Sequence, residues 1–211
     1  CPTCNIQFGE TLLPGTQPAI DIDMFANFLA SRLDDLRPMM KIPVGKKVAL
    51  HEYPGSPGVM KSVYRLLGAI PGLVVEKLPI EGVGYQITSL AAIPEFQKYH
   101  IARTLRAANE IGVNTLVSVY HADHRELASH EDHWSFEVVN YMELIADSIG
   151  LDRPDLFKRL KLMQDADAII ADSLEQIAAH GMDLDEVRDA VVKFLLGDQI
   201  LPVDPLLHPQ L

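Results

Sequence analysis

The sequence has little cysteine, a deficit of positive charge and no long apolar run. Eighteen Lys and Arg stand against 29 Asp and Glu, for a formal net charge of −11. Nucleic acid and anionic membrane surfaces are bound by clustered Lys and Arg, so no nucleic-acid partner and no membrane insertion are expected. No stretch approaches the roughly 20 consecutive apolar residues that cross a bilayer, and no secretory signal pattern is visible. A soluble, cytoplasmic protein is the expectation. A G-x-G-x-x-G turn, a P-loop and a G-x-S-x-G elbow are also absent. No nucleotide is therefore expected, despite the superficially phosphate-loop-like Gly82-Val83-Gly84, and Ser/His/Asp catalysis has no support.

What is present suits a soluble α/β protein. The 211 residues are 48% hydrophobic and 22% charged, enough for one large domain or two small ones with a sizeable core. After a Gly/Pro/Thr-rich opening, Asp21 or Asp23 is expected to cap an amphipathic helix to about Leu36. That helix would bury Ile22, Phe25, Phe28, Leu29 and Leu33, and Pro38 would stop it. Lys41 to Lys47 is a basic connector. Strands are expected at Lys47–Glu52, Leu73–Glu76 and Asn114–Val119, with helices at about Val59–Leu67 and Pro94–Ile111 between them. This alternation predicts right-handed crossovers and a mostly parallel sheet flanked by helices. A helix is expected over Trp134–Ile149, and then shorter ones over Asp155–Leu162, Asp172–Ala179 and Asp183–Leu196. The implied division is residues 1–43, residues 44–151 as an α/β domain, and residues 152–211 as a helical extension.

Two patterns carry chemistry. Cys1-Pro2-Thr3-Cys4 holds both cysteines of the chain. It is open to three readings: a redox dithiol, half of a zinc site, or two ligands of an iron–sulfur cluster. Because the chain opens on the first of these cysteines, a preceding N-terminal part is expected. The second pattern is His121-x-x-His124 with His130-x-x-His133, interleaved with Asp123, Glu126, Glu131 and Asp132. On a helix, i and i+3 share a face, so His121 and His124 could serve one Zn²⁺, with Asp123 or His133 and the remote His51 completing the set. The plainer alternative is a polar, solvated helix that follows a strand. His51-Glu52 is either an acid/base pair at a strand end or a hydrogen-bonded loop.

The spacing of these stretches resembles the cysteine-rich CCG domain found in the B component of heterodisulfide reductase and in its relatives. That domain has a strand ending in His-Asp-Pro-Cys-His, a Cys-Cys-Gly loop and, after an interval in the mid-thirties, a Cys-Pro-x-Cys-His following another strand. Val48-Ala49-Leu50-His51-Glu52-Tyr53-Pro54-Gly55 looks like the first element and Gly82-Val83-Gly84 like the second. Tyr120-His121-Ala122-Asp123-His124 looks like the third, and thirty-six residues lie between Val83 and Tyr120.

The resemblance implies a CCG-type α/β domain over about Val44–Leu151, in a protein that moves electrons to or from a disulfide or thiol substrate alongside the other subunits of a heterodisulfide reductase-like complex. It implies that Cys1 and Cys4 close a first such domain and, with residues outside this sequence, hold its iron–sulfur cluster. It also implies that the second domain's cluster cysteines are replaced by Pro54, Gly82, Val83, Tyr120 and Asp123. Two other expectations stand beside this one: a non-catalytic scaffold that docks a redox partner, and a Zn²⁺ site built from His51, His121, Asp123 and His124 in place of the lost cluster.

Overall fold

A computed structural model describes residues 23–52, 56–82 and 87–209. Cys1, Cys4, Pro54 and Val83 lie outside these residues. Four strands form one sheet: β1 (Lys47–Leu50), β2 (Val74–Glu76), β3 (Thr115–Ser118) and β4 (Glu137–Asn140). Their order is β2-β1-β3-β4 and every neighbouring pair is parallel. Successive side chains leave a strand on opposite faces. Val48, Leu50, Val117 and Val139 accordingly enter one core, and Ala49, Leu116 and Val138 enter the other. Both faces are covered, which is why the strands read as near-continuous apolar runs rather than as alternation. The chain has the expected α/β fold.

Nine α-helices lie among the described residues: α1 (Phe25–Ser31), α2 (Leu33–Leu36), α3 (Val59–Leu67), α4 (Pro94–Glu110), α5 (His121–Leu127), α6 (Tyr141–Ile149), α7 (Leu156–Met163), α8 (Ala166–Ala179) and α9 (Leu184–Ala190). Helices α1, α3 and α6 pack on the Val48/Leu50 face, whereas α4 and α5 pack on the Ala49/Leu116 face. From β1 the chain crosses by α3 to β2 on one side, then returns by α4 to β3 and goes on by α5 to β4. Right-handed crossovers in opposite directions need opposite faces, as seen here. The loops after β1 and β3 therefore diverge to opposite faces of adjacent strands. In open α/β sheets that reversal leaves a crevice at the strand C-termini, the usual place for a ligand.

Several elements differ from expectation. Trp134–Ile149 is not one helix, because Glu137–Asn140 is the edge strand β4 and only Tyr141–Ile149 is helical. Asn140 divides them with a capping box: its side chain accepts from the Met142 amide, while Glu143 accepts from the Asn140 amide at 2.6 Å. This satisfies amides that a continuing helix would have paired internally. The first helix is also broken, at Arg32, and it is turned about its axis. Phe25 and Phe28 are 55% and 46% exposed, while Ala26 and Ala30 are buried. The small alanines face α3, and Asn27 clamps the pair, donating to the Pro57 carbonyl at 3.2 Å and accepting from Ser62 Oγ at 2.8 Å. Close approach through alanine takes precedence over the apolar spacing. Gly58 opens α3 with φ +80°, a conformation that side chains other than glycine rarely take.

The last third is mainly helical, as expected. Helix α8 starts at Ala166, earlier than its apolar pattern suggests, because Asp165 accepts from the amides of Asp167 and Ala168. Helix α9 passes at Val191 into a π-helical turn ending at Leu196. The chain then folds back so that Leu201 is buried against the α4/α5 face. Among the described residues, no helix is long and apolar enough to cross a membrane.

Candidate functional site

His51 lies immediately beyond β1, at the crevice, and its amide donates to the Val117 carbonyl of β3 at 2.8 Å. Its ring packs against that of His100 on α4, with 5.6 Å between centroids. Both imidazoles are buried. Burial pushes the His51 pKa down to about 4. Burial, helped by His51 and Arg103, brings His100 to about the same value. Both rings are therefore neutral at pH 7, packed beside a cavity of about 10 Å³, room for about one water molecule. Glu52 does not pair with His51. It accepts a 2.6 Å hydrogen bond from the Tyr64 hydroxyl, so His51-Glu52 is not a coupled acid/base pair.

Asp123 sits on the first turn of α5 and is fully buried. One carboxylate oxygen accepts from the Ile87 amide at 3.2 Å, and the other has no hydrogen-bond partner among the described residues. Burial pushes its pKa up to about 6, against the opposing effect of the Ile87 amide. On the other side of the crevice a Cβ on Gly82 would stand 3.6 Å from the Glu52 carbonyl. The segment after β2 thus touches the loop after β1 at Glu52 and the segment after β3 at Asp123.

The four imidazole and carboxylate residues picked out as one zinc set are dispersed. His51 belongs with His100, Asp123 faces the Ile87 amide, and His121 is exposed with its ring edge against Phe157. His130 is buried near Glu126, whereas His133 is exposed. On α5, Asp123 and His124 turn inward and His121 outward. Among the described residues, only His124, Glu143 and Asp155 bring three such ligand atoms within 4.8 Å of one another.

That second cluster lies beyond the ends of β3 and β4. His124 is 5% exposed. Its Nδ1 is 3.0 Å from the Ser118 hydroxyl, which also donates to the Val139 carbonyl, and its Nε2 is 2.6 Å from Asp155 Oδ2. Asp155 caps α7, accepting from the Lys158 amide at 2.9 Å through its other oxygen. Burial opposes ionisation of Asp155, but the Lys158 amide, His124 and the Lys158 ammonium together hold its carboxyl below the usual range. Burial raises the Glu143 carboxyl, with Asn140, His124 and Lys158 acting in the opposite sense. The three residues Ser118, His124 and Asp155 have the order of a hydrolytic triad but not its function. Ser118 is fully buried, so no substrate reaches its oxygen.

A groove of about 480 Å³ runs along β4 and opens on Glu143 and Asp155. Its floor is not a free sheet edge. Glu131 accepts from the Val138 amide at 2.7 Å, and Lys158 donates to the Val138 carbonyl at 3.0 Å while pairing with Glu131. The outward backbone groups of Val138 are thereby occupied, which blocks strand addition at that point.

A third polar cluster is structural. The buried Glu126 carboxylate accepts from the amides of Ile200 and Leu201 at 3.0 and 2.9 Å and from the Gln199 side chain at 2.9 Å. It ties the returning C-terminal segment to α5. Sequence reasoning passed over His100, Glu143 and Asp155. Only the Asn140-x-x-Glu143 capping box and the Asp155 cap were visible signals. Comparison with protein-family models, curated proteins and solved structures gave no match.

Proposed function

We propose that the chain belongs to the electron-transferring B component of a heterodisulfide reductase-like complex. In this reading residues 44–151 are a CCG-type domain that has kept its scaffold and lost its cluster. The observation that carries it is that the segment after β2 touches both the loop after β1 and the segment after β3, the three stretches whose spacing resembles the family's cysteine motifs. Gly82 lies against Glu52, and Asp123 holds the Ile87 amide. The donors there do not fit a cluster. Gly82 has no side chain, and Tyr120 and Asp123 would offer one phenol and one carboxylate where clusters take thiolates.

Electron transfer to or from a disulfide or thiol is accordingly assigned to a cluster on Cys1 and Cys4. Such a cluster needs more thiolates than the two cysteines of the sequence, so the others would come from outside it. The second domain then acts on partner subunits or substrate by shape alone, with the neutral His51/His100 pair filling the space near the former site.

Iron and acid-labile sulfide, measured on the protein with its complete native sequence, test this reading. One cluster per chain is expected. It should be lost in Cys1→Ser and Cys4→Ser and kept in Tyr120→Phe and Asp123→Asn. Two clusters per chain, iron that survives the cysteine substitutions, or no iron at all would overturn it.

A further inference from the structure

We propose that His124, Glu143 and Asp155 form a binding site for one divalent transition-metal cation of the Zn²⁺ or Mn²⁺ type, at the head of the groove beside β4. The site takes His124 from the segment after β3 but uses neither the Gly82/Glu52 contact nor the Asp123/Ile87 contact, and it does not depend on the iron–sulfur reading.

The first argument is distance. The three ligand atoms lie within 4.8 Å of one another. Around a cation bound at about 2.0–2.2 Å, neighbouring ligands stand roughly 3.0–3.5 Å apart. Closing the trio takes a small rotation of the partly buried Glu143 side chain. The 2.6 Å contact between His124 Nε2 and Asp155 Oδ2 need open by only about half an ångström or slightly more to admit an ion.

The second argument is how each ligand is held. A metal-binding imidazole or carboxylate is normally fixed through its other polar atom, which sets its tautomer and direction. Here each of the three is fixed by a group outside the trio. His124 Nδ1 faces the Ser118 hydroxyl, which is itself oriented by the Val139 carbonyl. Glu143 Oε1 takes the Asn140 amide, and Asp155 Oδ1 takes the Lys158 amide. That leaves Nε2, Oε2 and Oδ2 for the ion. Ser118 thus has a role that its burial denies it as a nucleophile.

The third argument is access and charge. Glu143 and Asp155 line the groove, so a bound ion would keep solvent-facing positions for water, as open three-ligand sites do. The nearest ammonium, Lys158, is engaged by Glu131 and the Val138 carbonyl and does not occupy the position. One imidazole with two carboxylates and no thiolate favours borderline divalent ions over Cu(I).

The test uses the full chain carrying Cys1→Ser and Cys4→Ser, stripped with a chelator, so that neither cysteine can contribute binding. Equilibrium dialysis against Zn²⁺ alone, and electron paramagnetic resonance of added Mn²⁺, give stoichiometry and affinity. One ion per chain at micromolar or tighter affinity is expected. Glu143→Gln and Asp155→Asn should each weaken it at least tenfold, since both keep the oxygen that accepts the capping amide and lose only charge. Asp152→Asn, on the groove wall, should bind as the parent does. Thermal unfolding in chelator shows that each variant is folded, and if Asp155→Asn is not, Glu143→Gln decides alone. Absence of one-per-chain binding, or such binding left unchanged by Glu143→Gln, would refute the site. Because the cysteines are absent from the assay, its failure is separate from failure of the cluster assignment.

Discussion

Acidification separates the two buried groups at the crevice, because they respond with opposite signs. His51 has its folded pKa lowered from 6.5 to about 4. Between those values the unfolded chain binds a proton that the native state does not, so stability falls as pH is lowered through the window. At about 1.4 kcal/mol per unit the loss from this ring is about 3 kcal/mol, and His100 adds to it in the same direction. Asp123 has its folded pKa raised from 3.8 to about 6. There the native state binds the extra proton, so stability rises as pH falls from about 6 to 3.8, also by about 3 kcal/mol. In the native protein Asp123 offsets only part of the loss from the two imidazoles between pH 6 and 4.

Asp123→Asn removes one side of this balance. It keeps an oxygen for the Ile87 amide and should unmask a loss of about 3 kcal/mol or more between pH 7 and 4. Adding His51→Gln should remove much of that slope. Urea unfolding at half-unit pH steps measures it, and surface carboxylates cancel because they are common to both proteins. Identical slopes for Asp123→Asn and Asp123→Asn/His51→Gln would refute the reasoning. So would a His51 ring resonance that titrates near pH 6.5, since burial is what holds that ring neutral.

Other outcomes follow from the same geometry. Asp123→Asn should be more stable than the parent at pH 7 by about 1–3 kcal/mol, with the gain gone by pH 4, because it deletes a buried charge whose second oxygen has no partner among the described residues; an equal difference at both pH values contradicts this. Glu126→Gln should cost about 1–3 kcal/mol and speed amide exchange at Ile200 and Leu201, whose hydrogen bonds end on that carboxylate; exchange as slow as in the parent would show that the C-terminal segment is held elsewhere. Asn140→Ala should lower stability by about 1 kcal/mol through loss of the α6 cap, and an unchanged melting curve would contradict that account.

The sequence by itself determined the parallel α/β layering. Its apolar runs at 48–50 and 115–118 are too short and too continuous for helices, and the long periodic stretch after Pro94 can hardly be anything but a helix. It also put His51 and Tyr120 at the ends of two strands, and the crevice lies where β1 and β3 end. Local pattern alone did not separate β4 from α6. Val138 and Val139 suit a helix face as well as a strand, and the decision came from the capping of Asn140 and from pairing with β3, a partner about twenty residues away in the chain.

The grouping of side chains was decided by tertiary structure alone. Spacing at i and i+3 promised that His121 and His124 would act together. Packing of α5 against the sheet then turned His124 inward to Ser118 and left His121 outside. Its true neighbours, Glu143 and Asp155, come from two later helix starts, and no periodicity joins them to it. Local spacing fixes which residues share a face of one element, whereas a site is made by which elements the core brings end to end. That is settled by apolar burial on both faces of the sheet, a force that acts without regard to the polar residues it carries into contact.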